Sequence, residues 1–241
     1  MLTVSITERT LEAPEFGRCL KVPTGTGGYS SASCTTTSAK GSYEWAPGVV
    51  HKGFTLKTPA TSTVALEPTS GAKILCKAAS ALEGEYSGYR SVANVKLVLT
   101  GCERAKAKCQ TATAKEGEII TNILAGELGV ISKGLTAAKN VLGLDLMPSG
   151  SATEVARFTC PGSTSVVVRG SVIVRLTANK MLLSETLSYS AALGKQKPES
   201  FLEKPKDILE ASLSEGPFAQ YGLKGKLIQT NEEAVEANSV I

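Results

Sequence analysis

The stretch VANVKLVLT, residues 92–100, sets Ala93, Val95, Leu97 and Leu99 at every second position, with Asn94, Lys96 and Thr100 on the alternate ones. Successive side chains of a β-strand point to opposite faces, so a period of two describes a strand with one face in a core and the other in water. An amphipathic helix needs apolar residues three and four apart, a spacing this run does not favour.

The same alternation recurs along the chain. Ile120, Leu124, Leu128 and Val130 share a parity, as do Leu142, Leu144 and Leu146, then Val166, Val168, Val172 and Val174, then Met181, Leu183, Leu187 and Tyr189. Shorter runs at 54–56, 64–66, 74–76, 158–160 and 223–228 follow it. Turn formers interrupt the pattern at 68–71, 83–85, 148–150, 160–162 and 194–198. Roughly ten strands at spacings of about ten residues predict an all-β, mainly antiparallel fold, a β-sandwich or open barrel. Helix is expected only in short pieces such as 198–204, where Pro198 suits a first helical position.

The first 48 residues differ in texture: GTGGYSSASCTTTSAKGSY, residues 25–43, is almost wholly small and polar and runs into EWAPG at 44–48. The division expected is a small Cys-containing N-terminal module or hairpin extension over 1–48, then a main β-sandwich-like domain over 49–241.

Composition excludes several classes of function. The net charge of +4 is spread along the chain, with no basic cluster longer than Lys204-Pro205-Lys206, so the clustered cations of a nucleic-acid footprint are absent. No membrane span is expected, since the longest apolar stretches, 119–131 and 166–176, are broken by Asn122, Glu127, Arg169 and Arg175. The opening residues MLTVSITERTLEAPEF show neither a basic leader nor an apolar h-region, so no signal peptide is visible.

Six cysteines, at 19, 34, 76, 102, 109 and 160, include no CxxC pair, and His51 is the single histidine. Structural zinc draws its ligands in close pairs and redox dithiols need a CxxC turn, so neither a metal nor a cofactor is expected. Disulfides fit better, because four of the six stand among Gly, Ser, Thr, Lys and Glu, where a free thiol would be a liability. Proximity pairs Cys19 with Cys34 and Cys102 with Cys109, leaving Cys76 for Cys160, one of fifteen connectivities. Bridges imply an oxidising compartment, hence an extracellular or cell-surface protein whose leader was removed or whose start codon is misassigned. Reduced cysteines in a cytosolic β-rich scaffold are the alternative.

No catalytic apparatus stands out. His51 has no GxSxG elbow beside it. GTGG at 25–28 lacks the Lys-Ser/Thr pair of a phosphate loop, and two aspartates without a DxDxDG loop exclude an EF-hand. Glu83, Glu85, Glu116, Glu118, Glu127 and Asp145 could supply the carboxylate pair of a carbohydrate-active hydrolase. Tyr43 and Trp45 in SYEWAPG are the candidate ligand-binding residues, an aromatic face suited to a sugar.

The succession EFGRC, GGY, a second cysteine, GSYEWAPG, TGCE, GEI, GELG, GLDL, FTC, VRGSVI, NKM, GKQKPESF and TNEE resembles a group of uncharacterised secreted or surface proteins of high-GC Gram-positive soil bacteria. The resemblance spans Glu15 to about Val240 and implies an exported, disulfide-bonded β protein, with no catalytic or ligand residue to carry over. The function expected is a non-catalytic binding or structural protein of the cell envelope, with a cell-wall glycan or an envelope protein as partner.

Overall fold

The alternating pattern folds into antiparallel sheet. In the computed structural model, which describes residues 13–160 and 164–239, the chain is 59% strand and 1% helix, and the sheet curls into a half-barrel. No helix of the described residues is long and apolar enough to cross a membrane.

The spine is the C-terminal strand Ala219–Asn238. Its residues 221–224 pair with Val64–Pro68, 225–235 with Leu182–Ala192, 228–231 with Gly53–Lys57, and 236–238 with Glu15–Lys21. One strand serves both layers because Gly225, at the change of partner, lets the backbone pass close to Thr63, whose carbonyl oxygen would stand 2.9 Å from any Cβ there.

One layer runs from Val172–Leu176 through Val141–Pro148, Leu124–Ser132, Ser91–Val95, Ala78–Tyr86 and Gly53–Lys57 to the spine and Leu182–Ala192. The other forms a circuit. It passes from Val64–Pro68 to Ile74–Cys76, Glu103–Arg104 and Ala107–Lys108, and returns through Glu154–Cys160, Thr164–Arg169 and Leu209–Leu213 to the spine. The bridge Gln110↔Thr159 closes it. At the edge, Glu15–Lys21, Tyr43–Pro47, Gly27–Tyr29 and Thr37–Gly41 form a small four-stranded sheet.

Residues 92–100 are strand with an interruption. Ser91–Val95 and Val98–Thr100 are separate strands, and the buried positions are Val92, Val95 and Leu97, while Ala93 is half-buried. Asn94, at φ 58°, is the cause: a left-handed residue adds one position, bulges the strand and reverses the parity expected at Ala93. Both segments still pair with Ala78–Tyr86, and Glu103–Arg104 pairs with Ile74–Cys76, so 74–104 is one long hairpin. Its turn lies at 87–90 rather than at 83–85. Gly84 sits inside the strand because a Cβ there would meet the Phe54 ring at 2.4 Å.

Other expectations shift similarly. The strand count among the described residues is twenty-two, because bulges and corners cut long runs into short ones. The run 166–174 splits at Gly170 into Thr164–Arg169 and Val172–Leu176. Leu183 faces outward, 55% exposed, where the pairing of Leu182–Ala192 with the spine slips by three residues. Residues 198–204 are not helical. They form a strap over the outer face of Leu124–Ser132, with Phe201 against Gly129 and the Leu202 N–H donating to Val130 O at 2.7 Å. Pro161 and Gly162, expected as a turn, and residues 1–12, where a leader was sought, lie outside the described residues.

The core follows the inward parity: Leu56, Ile74, Val92, Val95, Leu142, Val166, Val174 and Leu187 are all but inaccessible. Tyr86 meets Phe16 and Phe54 edge-on, with ring centroids 4.9 and 5.4 Å away. Its hydroxyl is buried too, and so is bonded: it donates to Asn231 Oδ1 at 3.0 Å and accepts from Gln229 Nε2 at 2.9 Å. Burial holds that phenol well above its ordinary range.

Candidate functional site

All six cysteines are bridged. Cys19 joins Cys34, as proximity suggested. The other two bridges differ from the expected pairing: Cys76 joins Cys102 and Cys109 joins Cys160. Register is the physical reason. Extending the pair Leu75↔Glu103 by one residue sets Cys76 opposite Cys102, with Cα atoms 3.9 Å apart. Extending Gln110↔Thr159 likewise sets Cys109 opposite Cys160, at 4.1 Å. The two bridges fasten the Glu103–Lys108 hairpin to both of its neighbours in the circuit.

Tyr43 and Trp45 lie two apart on Tyr43–Pro47 and so share a face. Tyr43 stands opposite Tyr29 and Lys21, and Trp45 opposite Cys19. The indole lies over Gly17, where a Cβ would come within 2.2 Å of its ring. From there its Nε1–H donates to Glu236 Oε2 at 2.6 Å. Partial burial pushes the Glu236 carboxyl up, opposed by the indole bond. All three aromatic side chains are half-buried, and Trp45 is fixed by a bond at one end and glycine beneath it. Sequence reading found Tyr43 and Trp45; Tyr29 was missed because only the hairpin register brings it alongside.

The candidate carboxylates do not form one site. Glu83 and Glu85 line a surface groove with His51 and Glu232. Glu118 Oε2 accepts from the Lys115 N–H in a turn next to Glu116. Glu127 stands opposite Asp145. Asp145 is 2% exposed, and its Oδ2 accepts from Ser171 Oγ at 3.1 Å. Its other oxygen has no hydrogen-bond partner, and the nearby carboxyl of Asp207 adds to the cost of charging it. Burial first, then Asp207, pushes the Asp145 carboxyl up to about 7. Of these two, the only aspartates of the chain, Asp145 is enclosed rather than open to a substrate and Asp207 is half-buried.

Between the layers lies an apolar cavity of about 80 Å³, lined among others by Leu66, Leu97, Leu146, Phe158, Val168 and Tyr189. Among the described residues no group of His, Cys, Asp and Glu is placed to hold a metal ion. No protein-family model, no curated protein and no solved structure matches this chain.

Proposed function

We propose that the chain is a non-catalytic binding module of the cell envelope, working in an oxidising compartment and recognising a cell-wall glycan through Tyr29, Tyr43 and Trp45. The observation that carries the reading is the fixed indole. Trp45, held by Glu236 over Gly17 beside two tyrosines, presents a partly open aromatic face on a small sheet stapled by Cys19–Cys34. Sugars stack on such faces, and a face already immobilised loses little freedom on binding. The three bridges support an extracellular setting, because cytosolic thiols are kept reduced. The high-set acid, Asp145, is enclosed and offers a hydrolase nothing it could present to a glycan.

Retention of the purified protein on insoluble cell-wall glycan tests this. Tyr43→Ala is expected to weaken retention by about tenfold, the effect of losing roughly 1.4 kcal/mol of stacking, with no sugar released at any stage. Release of sugar abolished by a single Glu→Gln change would assign a hydrolase instead. Equal retention of Tyr43→Ala, Trp45→Phe and the parent protein would remove the aromatic face from the reading.

A further inference from the structure

Three pairings, each extended by one residue, put four cysteines abreast. Leu75↔Glu103 aligns Cys76 with Cys102, Glu103↔Lys108 aligns Cys102 with Cys109, and Gln110↔Thr159 aligns Cys109 with Cys160. Directly opposed residues share a face, and here it is the core face. Cys102 and Cys109 are 0% exposed, Cys76 2% and Cys160 3%. The outer two steps of the row are disulfides; the middle step is not.

Yet the middle pair is in bonding range. The Cys109 N–H donates to Cys102 O at 3.0 Å. Opposed antiparallel residues linked by such a bond have Cα atoms about 5.5 Å apart, and that separation is close to the commonest one in disulfides, roughly 5.5–6 Å.

We propose that the row is a thiol–disulfide exchange site that takes a dithiol as its reductant and turns two interstrand bridges into one Cys102–Cys109 bridge. When the row opens locally, a dithiol thiolate attacks Cys160 Sγ, forming a mixed disulfide and releasing the Cys109 thiolate. That thiolate attacks Cys102 Sγ, the new bond forms, and Cys76 leaves as a thiolate and takes a proton. The second thiol of the reductant then displaces the Cys160 thiolate, which is protonated as the dithiol closes to its cyclic disulfide. Two electrons pass from the dithiol to the protein, one protein bridge remains, and Cys76 and Cys160 become thiols. Attack beginning at Cys76 runs the same sequence in mirror order to the same product. The row favours it, because Cys109 and Cys76 flank Cys102 on opposite sides, as attacking and leaving sulfurs must.

The exchange changes what the sulfur holds together. In the native pairing the 103–108 hairpin is fastened to both Ile74–Cys76 and Glu154–Cys160; in the exchanged pairing it is fastened only to itself. The circuit loses both covalent links for the reduction of one.

The test is a titration of the oxidised protein with dithiothreitol in substoichiometric steps, trapping with N-ethylmaleimide, and peptide mapping. Trypsin cuts at Arg104, Lys106 and Lys108, so a Cys102–Cys109 link joins two separate peptides. The expected result is that both native cross-links of the row fall together, a Cys102–Cys109 link rises in their place, and Cys76 and Cys160 carry equal label. Cys19–Cys34, far from the row in register, reports on simple reduction in the same digest. A two-electron product that keeps one native bridge and is labelled at both ends of the other overturns the proposal. The double variant Cys76→Ser/Cys160→Ser gives an independent reading: in air it is expected to form the Cys102–Cys109 bridge, and two persistently free thiols in the folded variant would count against the site.

Discussion

The small edge sheet and the main circuit use sulfur differently. In the edge sheet, Cys19 and Cys34 are 15 residues apart across a Gly/Ser/Thr loop, and the bridge joins neighbours in sequence. In the circuit the bridges span 26 and 51 residues and pass over a partner only seven residues away. Where a loop is loose, nearness along the chain decides which sulfurs meet. Where cysteines are fixed in a ladder, register decides, and it set Cys102 beside both Cys76 and Cys109.

Loop length turns that contrast into energies. Closing a 51-residue loop restricts the unfolded chain more than closing a 15-residue one. The chain-entropy estimate is about 4 kcal/mol for the former and about 3 kcal/mol for the latter. Cys109→Ala/Cys160→Ala is therefore expected to lower the thermal midpoint most, by on the order of 10 °C. Cys19→Ala/Cys34→Ala is expected to lower it less and to leave the circuit's amide protection intact. Calorimetry with hydrogen exchange checks both, and a larger loss from the edge-sheet bridge would break the comparison.

The edge sheet also carries the one tryptophan, so its packing can be watched alone. Gly17→Ala puts a methyl where the indole lies, and overpacking of this kind costs about 1–3 kcal/mol. The expected outcome is a red-shifted fluorescence maximum, as Trp45 leaves Glu236 for water, with glycan retention falling in step. Unchanged emission would mean that the ring has room to move aside.

Much of this was legible beforehand, for reasons that differ between the two regions. Alternation exposed the strands because burial of one face imposes it; Leu142, Leu144 and Leu146 are all inward as read. It misjudged Ala93 because one left-handed Asn94 shifts parity without leaving an apolar signature. It misplaced the turn because Gly84 serves a ring rather than a corner. Tyr43 and Trp45 could be picked out since aromatics are scarce, whereas Tyr29 and Asp207 join their partners only through register and a strap, which no local pattern encodes.

The smallest effect expected belongs to the acid pair, and its sign is opposite to that of the bridges. Asp145 is faced by Ser171, Asp207, Glu127 and, at longer range, Tyr189, none of them a cation. Its carboxyl is pushed up to about 7, so between the ordinary carboxylate range near pH 4 and pH 7 the folded chain holds a proton that the unfolded chain has lost. Folding stability therefore falls as pH rises through that window, and the stabilisation is complete only below it. Asp145→Asn keeps the shape and removes the titration. It is expected to be nearly neutral at pH 4 and more stable than the parent at pH 8, the gain growing through the window. Urea melts across that range check it. A variant that loses stability equally at both ends would show that the carboxyl serves as an acceptor for Ser171 more than as a buried burden, and Asp145 would then resemble the bridges after all.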